Sequence, residues 1–227
     1  MSKGKYGLVC VAHPDDETLF FGGVLQRRIS KSSMPWTVVC VTDGNADGQG
    51  DAREKQFRKA CRELGVKRAE WWGFADRFEE RLDVAEIRLR LEDLPIPQEI
   101  YTHGPIGEYG HPHHQDVCYA THAAFPDHPK LFASAYNAYP EFQITLTPKE
   151  FERKARILTR VYGSETQRFL NLLPATSAEG YLRLDRREIE ALYEFLARGG
   201  ALRPDRLQAY RWLAPYLKAN AAIERPF

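Results

Sequence analysis

With 227 residues, 43% of them hydrophobic, the chain is long enough to bury one sizeable α/β core, and nothing in it demands a second domain. Lys and Arg number 32 against 31 acidic residues, a net charge of +1, which gives no electrostatic footprint for nucleic acid and no acidic or basic tail. No run approaches the roughly 20 apolar residues of a membrane span. The start, MSKGKYGLVC, has too short an apolar stretch and no small-residue cleavage site, so no signal peptide is expected. Cys10, Cys40, Cys61 and Cys118 show no C-x-x-C spacing and read as buried, reduced thiols of a cytoplasmic protein.

Strand and helix signals alternate through the first half, as βαβ units do. Residues 6–12 form an apolar run that reads as a buried strand, and 17–30 carry Leu19, Phe20, Val24, Leu25 and Ile29 on one helical stripe. A strand at 36–42 precedes a helix at 51–64, closed by Gly65 as a C-cap. A short strand at 69–72, a helix at 84–93 that stops before Pro95, a strand at 100–103 and a helix at 113–125 follow. Beyond Pro126 the signals loosen: strands at 132–136 and 142–146, helices at 148–162, 186–197 and 206–218, and a loop at 171–180 that could serve as a lid or as an inert connection. The pattern predicts an α/β fold: a Rossmann-like, mostly parallel sheet with helices on both faces, in one domain over 1–227 whose part from about 126 onward is helical and loop elaboration. If the strands lie in the order 3-2-1-4, the first and fourth are neighbours at a switch point, and the site is expected at their carboxyl ends. The loop after the first strand is HPDDE, not glycine-rich, so a nucleotide-binding fingerprint is missing.

Two polar segments follow those two strands. The first is AHPDDE, which packs His13, Asp15, Asp16 and Glu17 where the strand ends; the second is GEYGHPHHQDV, with His111, His113 and His114. Five of the seven histidines fall between His103 and His122. Imidazole nitrogen and carboxylate oxygen are both zinc ligands, and a hydrolytic zinc centre uses three protein ligands plus an open position. His13, Asp16 and one histidine of the second segment can supply them. Asp15 also fits a helix N-cap, and Asp16 a first-turn acid.

AHPDDE together with YGHPHH resembles the PIG-L or LmbE-like family of zinc-dependent N-deacetylases, over about the first 125 residues and more weakly over KARILTRVYGSETQRF. The resemblance implies Zn2+ held by His13, Asp16 and His114, with Asp15 as general base. It implies His111 as an imidazolium acting on the oxyanion or leaving amine, and Tyr109 as a hydrogen-bond donor to the oxyanion. Arg53, where the usual Glu three residues later is Gln56, and Asp76 match residues that hold substrate hydroxyls; Glu108 is a further candidate on the rim. Asp43 and Gly44 match as turn residues. Many members carry Asp at the position of His113, giving HPDH; here HPHH sets another ring beside His111 and should lower its pKa. Asp116 is a candidate to compensate, and His113 is expected not to bind the metal. His103, His122 and His128 read as structural or surface residues.

The implied activity is removal of an N-acetyl group from an N-acetylated amino sugar or related small glycoside. Two alternatives stand beside it: a zinc hydrolase of another amide or an ester, and a catalytically silent sugar-binding protein. The expected partner is a small-molecule N-acetylated sugar, with no nucleic acid and no membrane span; a homo-oligomer is left open.

Overall fold

The computed structural model describes residues 5–77, 80–166 and 175–220. A seven-stranded sheet runs in the order β3-β2-β1-β4-β5-β7-β6 among these residues. Its centre is β1 (Gly7–Val11), flanked in parallel by β2 (Trp36–Thr42) and β4 (Glu99–Thr102). β3 (Arg68–Phe74) joins β2, and β5 (Leu131–Ser134) joins β4, both in parallel. β7 (Ala178–Leu182) then pairs antiparallel with β5, and β6 (Phe142–Thr145) antiparallel with β7. Every residue of β1 and β2 is buried, as continuous apolar runs in the middle of a parallel sheet should be. β1 and β4 are neighbours, as the 3-2-1-4 order requires, and the chain reverses its winding between them.

Alternation along the strands divides the core into two layers. Val9 and Val11 of β1 and Val38 and Cys40 of β2 face α2 (Gly22–Lys31), α3 (Gly50–Leu64) and α6 (Pro148–Arg160). Leu8, Cys10, Ala12, Val39 and Val41 face α4 (Val84–Glu92) and α5 (Pro112–Ala124). A third cluster joins α8 (Arg186–Ala197) to α9 (Leu213–Asn220) through Leu192, Tyr210 and Leu213. All four cysteines are buried and free. No helix among the described residues is long and apolar enough to cross a membrane.

Three expectations about the elements need correction, and two of them trace to a distant carboxylate. The helix expected at 17–30 is two: α1 (Asp16–Leu19) and α2, separated at Phe20 and Phe21. The N–H groups of Gly23 and Val24 donate to the Glu179 carboxylate at 2.7 and 2.9 Å, so the start of α2 is fixed by a residue 155 positions away. The loop expected at 171–180 contains β7 from Ala178 onward, which places Glu179 there; residues 171–174 lie outside the described residues. The helix expected at 206–218 begins only at Leu213, because buried Glu188 accepts the N–H groups of Gln208, Ala209 and Tyr210 and holds them out of a helix. Before them Pro204–Arg206 forms a single 3-10 turn.

Candidate metal centre and active site

The loop after β1 and the N-terminus of α5 meet above the carboxyl ends of β1 and β4. His13 Nδ1, His114 Nε2 and Asp16 Oδ2 form a nearly equilateral triangle there, with edges of 3.2, 3.3 and 3.4 Å. Bonds of about 2.0–2.1 Å to a tetrahedral ion place ligand atoms about 3.3–3.4 Å apart. The three side chains expected as ligands are therefore spaced to share one metal ion.

Their surroundings orient them. His114, fully buried, donates through Nδ1 to Glu108 Oε2 at 2.7 Å, which leaves the Nε2 lone pair aimed into the triangle. Glu108 takes a second imidazole, His103 Nδ1 at 3.1 Å, and the N–H of Gly104 at 2.9 Å. Glu108 is 1% exposed, so it is not the rim residue expected from the sequence: it holds His114 and His103 and does not line the cleft. The backbone N–H of His13 donates to Asp16 Oδ2 at 2.8 Å and anchors that carboxylate. His103 stacks on His114 with ring centroids 3.9 Å apart, and its Nε2 accepts the N–H of Ala12 at 3.0 Å.

The electrostatics call for a cation. Burial pushes the His114 imidazole down, but Asp16 and Glu108 outweigh it and hold its pKa at about 10. Burial likewise opposes ionisation of Asp16 and Glu108, yet the neighbouring imidazoles keep both below the usual carboxylate range, Glu108 at about 2. His13, Asp76 and His113 form a further group of possible donors on the other nitrogen side of His13; His13, His111 and His114 form an overlapping group, as do Asp16, His103 and His114. In those, His111 Nδ1 already accepts the N–H of His113 at 3.2 Å and His103 Nε2 that of Ala12, so neither ring offers that lone pair.

Asp15 stands at the N-cap position of α1, but its side chain makes no capping hydrogen bond, and its backbone is in the left-handed region at φ 114°. A non-glycine residue held there costs about 1–3 kcal/mol and persists only where its surroundings fix it. Here they do. Its N–H donates to Glu17 Oε2 at 3.1 Å, and its carboxylate faces Arg53 Nη2 at 3.4 Å. Arg53 also donates to the Pro14 carbonyl at 2.5 Å and pairs with Glu165. Tyr162 donates to Glu17 Oε1 at 2.9 Å. Burial, then the adjacent Asp16, raise the Asp15 pKa well above the carboxylate range, against the pull of Arg53. Glu17 thus ties the start of α1 to the Asp15 N–H, the Thr18 hydroxyl and Tyr162. Sequence reasoning missed Glu165 altogether, since no local pattern marks it.

Asp15, Asp16, His13, Arg53, Asp76, Tyr109 and His111 line one cleft of about 160 Å³. Asp76 Oδ1 lies 3.4 Å from His113 Nδ1, and the Asp76 N–H donates to Asp43 Oδ1 at 2.9 Å, which also accepts the N–H of Asn45 at 2.9 Å. Arg53 reaches the cleft wall, but its Nη atoms are engaged by Asp15, Pro14 and Glu165. Tyr109, 63% exposed, borders both this cleft and a larger, mainly apolar cavity of about 650 Å³ lined by Phe20, Tyr136 and Ala138. His111 caps α5 through Nδ1, so its Nε2 carries the proton. Burial, followed by His13, His114 and His113, holds its pKa down to about 2, so His111 is neutral and not the imidazolium expected from the sequence. His113 contributes in the expected direction but is not the main cause. Asp116 does not compensate: it turns away to Arg81, the N–H of Leu82 and Tyr193.

The site is thus a cluster of two histidines and one carboxylate, spaced as candidate metal donors, beside neighbouring parallel strands of a mixed α/β sheet. The family model PIG-L: GlcNAc-PI de-N-acetylase matches residues 8–125, just over half of the chain, and the chain belongs to that family. It is 29% identical over 130 residues to the N-acetylglucosaminyl-phosphatidylinositol de-N-acetylase of Saccharomyces cerevisiae, covering 52% of this chain and 42% of that protein. The chain spans between 20% and 62% of the length of the curated relatives it matches. Among solved structures, the N,N'-diacetylchitobiose deacetylase of Pyrococcus horikoshii superposes with a TM-score of 0.57 at 17% identity, over 78% of this chain and 83% of that one. GalB, the 4-carboxy-2-hydroxymuconate hydratase of Pseudomonas putida, does so with 0.54 at 18% identity, over 80% and 98%. The fold is therefore shared by proteins of different reactions, and the reaction has to be argued from the site.

Proposed function

We propose that this chain is a zinc-dependent hydrolase that removes the acetyl group from the nitrogen of an N-acetylated amino sugar or a related small glycoside. The observation that carries the reading is the donor triangle of His13, Asp16 and His114, with the Asp15 carboxylate and the His111 N–H lining the same cleft. Two nitrogens and one carboxylate oxygen with tetrahedral spacing suit zinc. Bound there, zinc would supply Lewis acidity to the acyl oxygen and lower the pKa of a water.

The side chains do the rest. Asp15, held by Arg53 and Glu17, takes a proton from the attacking water and passes it to the departing nitrogen; its raised pKa suits a group that must both accept and release it. His111, neutral and protonated on Nε2, donates a hydrogen bond to the acyl oxygen as charge develops, with Tyr109 at the cleft mouth as a second donor. Asp76 offers a carboxylate to sugar hydroxyls, and the larger cavity beyond Tyr109 gives room for the group attached to the sugar.

The test is acetate release by zinc-loaded protein from N-acetyl sugars presented free, nucleotide-linked, inositol-linked and as simple glycosides. Acetate should appear with at least one, disappear on chelation and return with zinc. Binding without acetate release would make the protein a silent sugar binder, and turnover of esters alone would reassign the bond.

A further inference from the structure

His113 occupies the position where the resemblance leads to a carboxylate, and its surroundings assign it a role of its own. The ring is buried, and its Nε2–H donates to the carbonyl of Glu80 at 2.8 Å. In the tautomer with its single proton on Nε2, the His113 ring presents an Nδ1 lone pair. That lone pair lies 3.1 Å from His13 Nε2, while His13 Nδ1 belongs to the donor triangle. With both rings protonated on Nε2, His13 donates Nε2–H to His113 Nδ1 and turns its Nδ1 lone pair to the metal position. Asp76 Oδ1 is 3.7 Å from His13 Nε2, beyond hydrogen-bond range, and 3.4 Å from His113 Nδ1, where His13 Nε2 is the nearer partner at 3.1 Å.

We propose that His113 is a positioning residue that fixes the tautomer and ring orientation of the metal ligand His13, a neutral acceptor doing what a carboxylate usually does behind a ligand histidine. It touches neither metal nor substrate. The inference rests on the metal reading above. Its support extends through α5. Glu80 is followed by Arg81 and Leu82, and both of these bond the fully buried Asp116 carboxylate, Arg81 Nη1 at 2.9 Å and the Leu82 N–H at 3.0 Å. His113 and Asp116 are one turn apart on the same helix, so the helix that carries His113 also anchors the segment whose carbonyl holds it.

The experiment compares His113→Asn with His113→Leu. The two side chains match in shape, and Asn Oδ1 sits on the same Cβ–Cγ path as His Nδ1, so Asn restores an acceptor there, together with an amide NH2 on the side of the Glu80 carbonyl, while Leu offers neither. Zinc dissociation constants, measured by competition with a chromophoric chelator, should weaken about 10–100-fold in the Leu variant, as loss of an outer partner does, and return close to wild type in the Asn variant. Equal affinity in all three proteins, or equal weakening in both variants, would overturn the proposal. So would two zinc ions per wild-type chain with one lost in each variant, since His113 would then be a ligand. If the Leu variant fails to fold, the wild-type zinc protein decides by long-range 1H–15N histidine spectra. Protons on Nε2 of both His13 and His113 are expected, and a proton on His113 Nδ1 overturns the assignment. A wild-type chain that takes up no zinc overturns the metal reading and this inference with it; normal zinc uptake without the Asn–Leu difference overturns the inference alone.

Discussion

At the scale of single residues, Asp15 and Asp16 are chemically identical neighbours with opposite environments. Asp16 is surrounded by imidazoles that keep it ionised, whereas Asp15 is buried beside that charge with one guanidinium for relief. Asp15→Asn keeps the shape and leaves the triangle intact, so zinc content should be unchanged while kcat falls by about 10²–10⁴-fold, as for loss of a general base. Single-turnover kinetics on zinc-loaded protein checks this; normal turnover would put the base elsewhere. The pH profile follows from the sign of the shift. Asp15 must be ionised to accept a proton and its pKa is raised, so kcat/KM should fall with decreasing pH along an acid limb above the ordinary carboxylate value of about 3.9. Arg53→Met removes the cation that lowers Asp15 and should shift that limb to higher pH. That His13, Asp16 and a histidine of the second segment come together was legible in the sequence because both polar segments follow strands; the resemblance pointed to His114 among them. The neutral state of His111 was not, since it arises from burial and from rings that only the fold brings within reach. Glu108 was misplaced for the same reason: an acid in a glycine-flanked turn looks exposed until the turn is seen folding it onto two histidines.

At the scale of elements, local periodicity located the parallel strands and most of their helices, with β2 and α8 matched end to end. It failed where a buried carboxylate decides whether a helix starts. The clearest case is α2, whose first N–H groups are satisfied by Glu179, itself neutralised by fully buried Lys154 at 2.7 Å and bonded by Tyr181 at 2.8 Å. Glu179→Ala would leave a buried ammonium and two helix N–H groups without their acceptor. Breaking such a pair costs about 3–5 kcal/mol, and chemical denaturation should show a loss of that order. A change within 1 kcal/mol, roughly the scale of an exposed ion pair, would show that water replaces the carboxylate. The strand that carries Glu179 was read as loop because AEGYL is short, contains a glycine and sets an acid where alternation calls for an apolar residue.

At the scale of the whole molecule, the two halves of the donor set lie about a hundred residues apart in sequence and adjacent in space, because β1 and β4 are neighbours in the sheet. That juxtaposition followed from topology alone. The dependence of the site on the later part of the chain did not. Tyr162 bonds Glu17, Glu165 pairs with Arg53, and Glu179 holds the start of α2, so each joins the family-matched stretch to residues beyond it. Residues 1–125 alone should retain every proposed ligand yet neither fold cooperatively nor bind zinc tightly, which circular dichroism and zinc competition on the truncated chain would check. The consequence concerns inheritance. Because the matched stretch and the remainder are fitted to each other through specific pairs, neither can be exchanged freely with a relative's. A hybrid of this chain's first half and a cousin's second half should be competent only if the cousin supplies a hydroxyl for Glu17 and an acid for Arg53. The later part of the chain is thus constrained at few positions, Tyr162 and Glu165 within the weakly resembling KARILTRVYGSETQRF stretch and Glu179 beyond it.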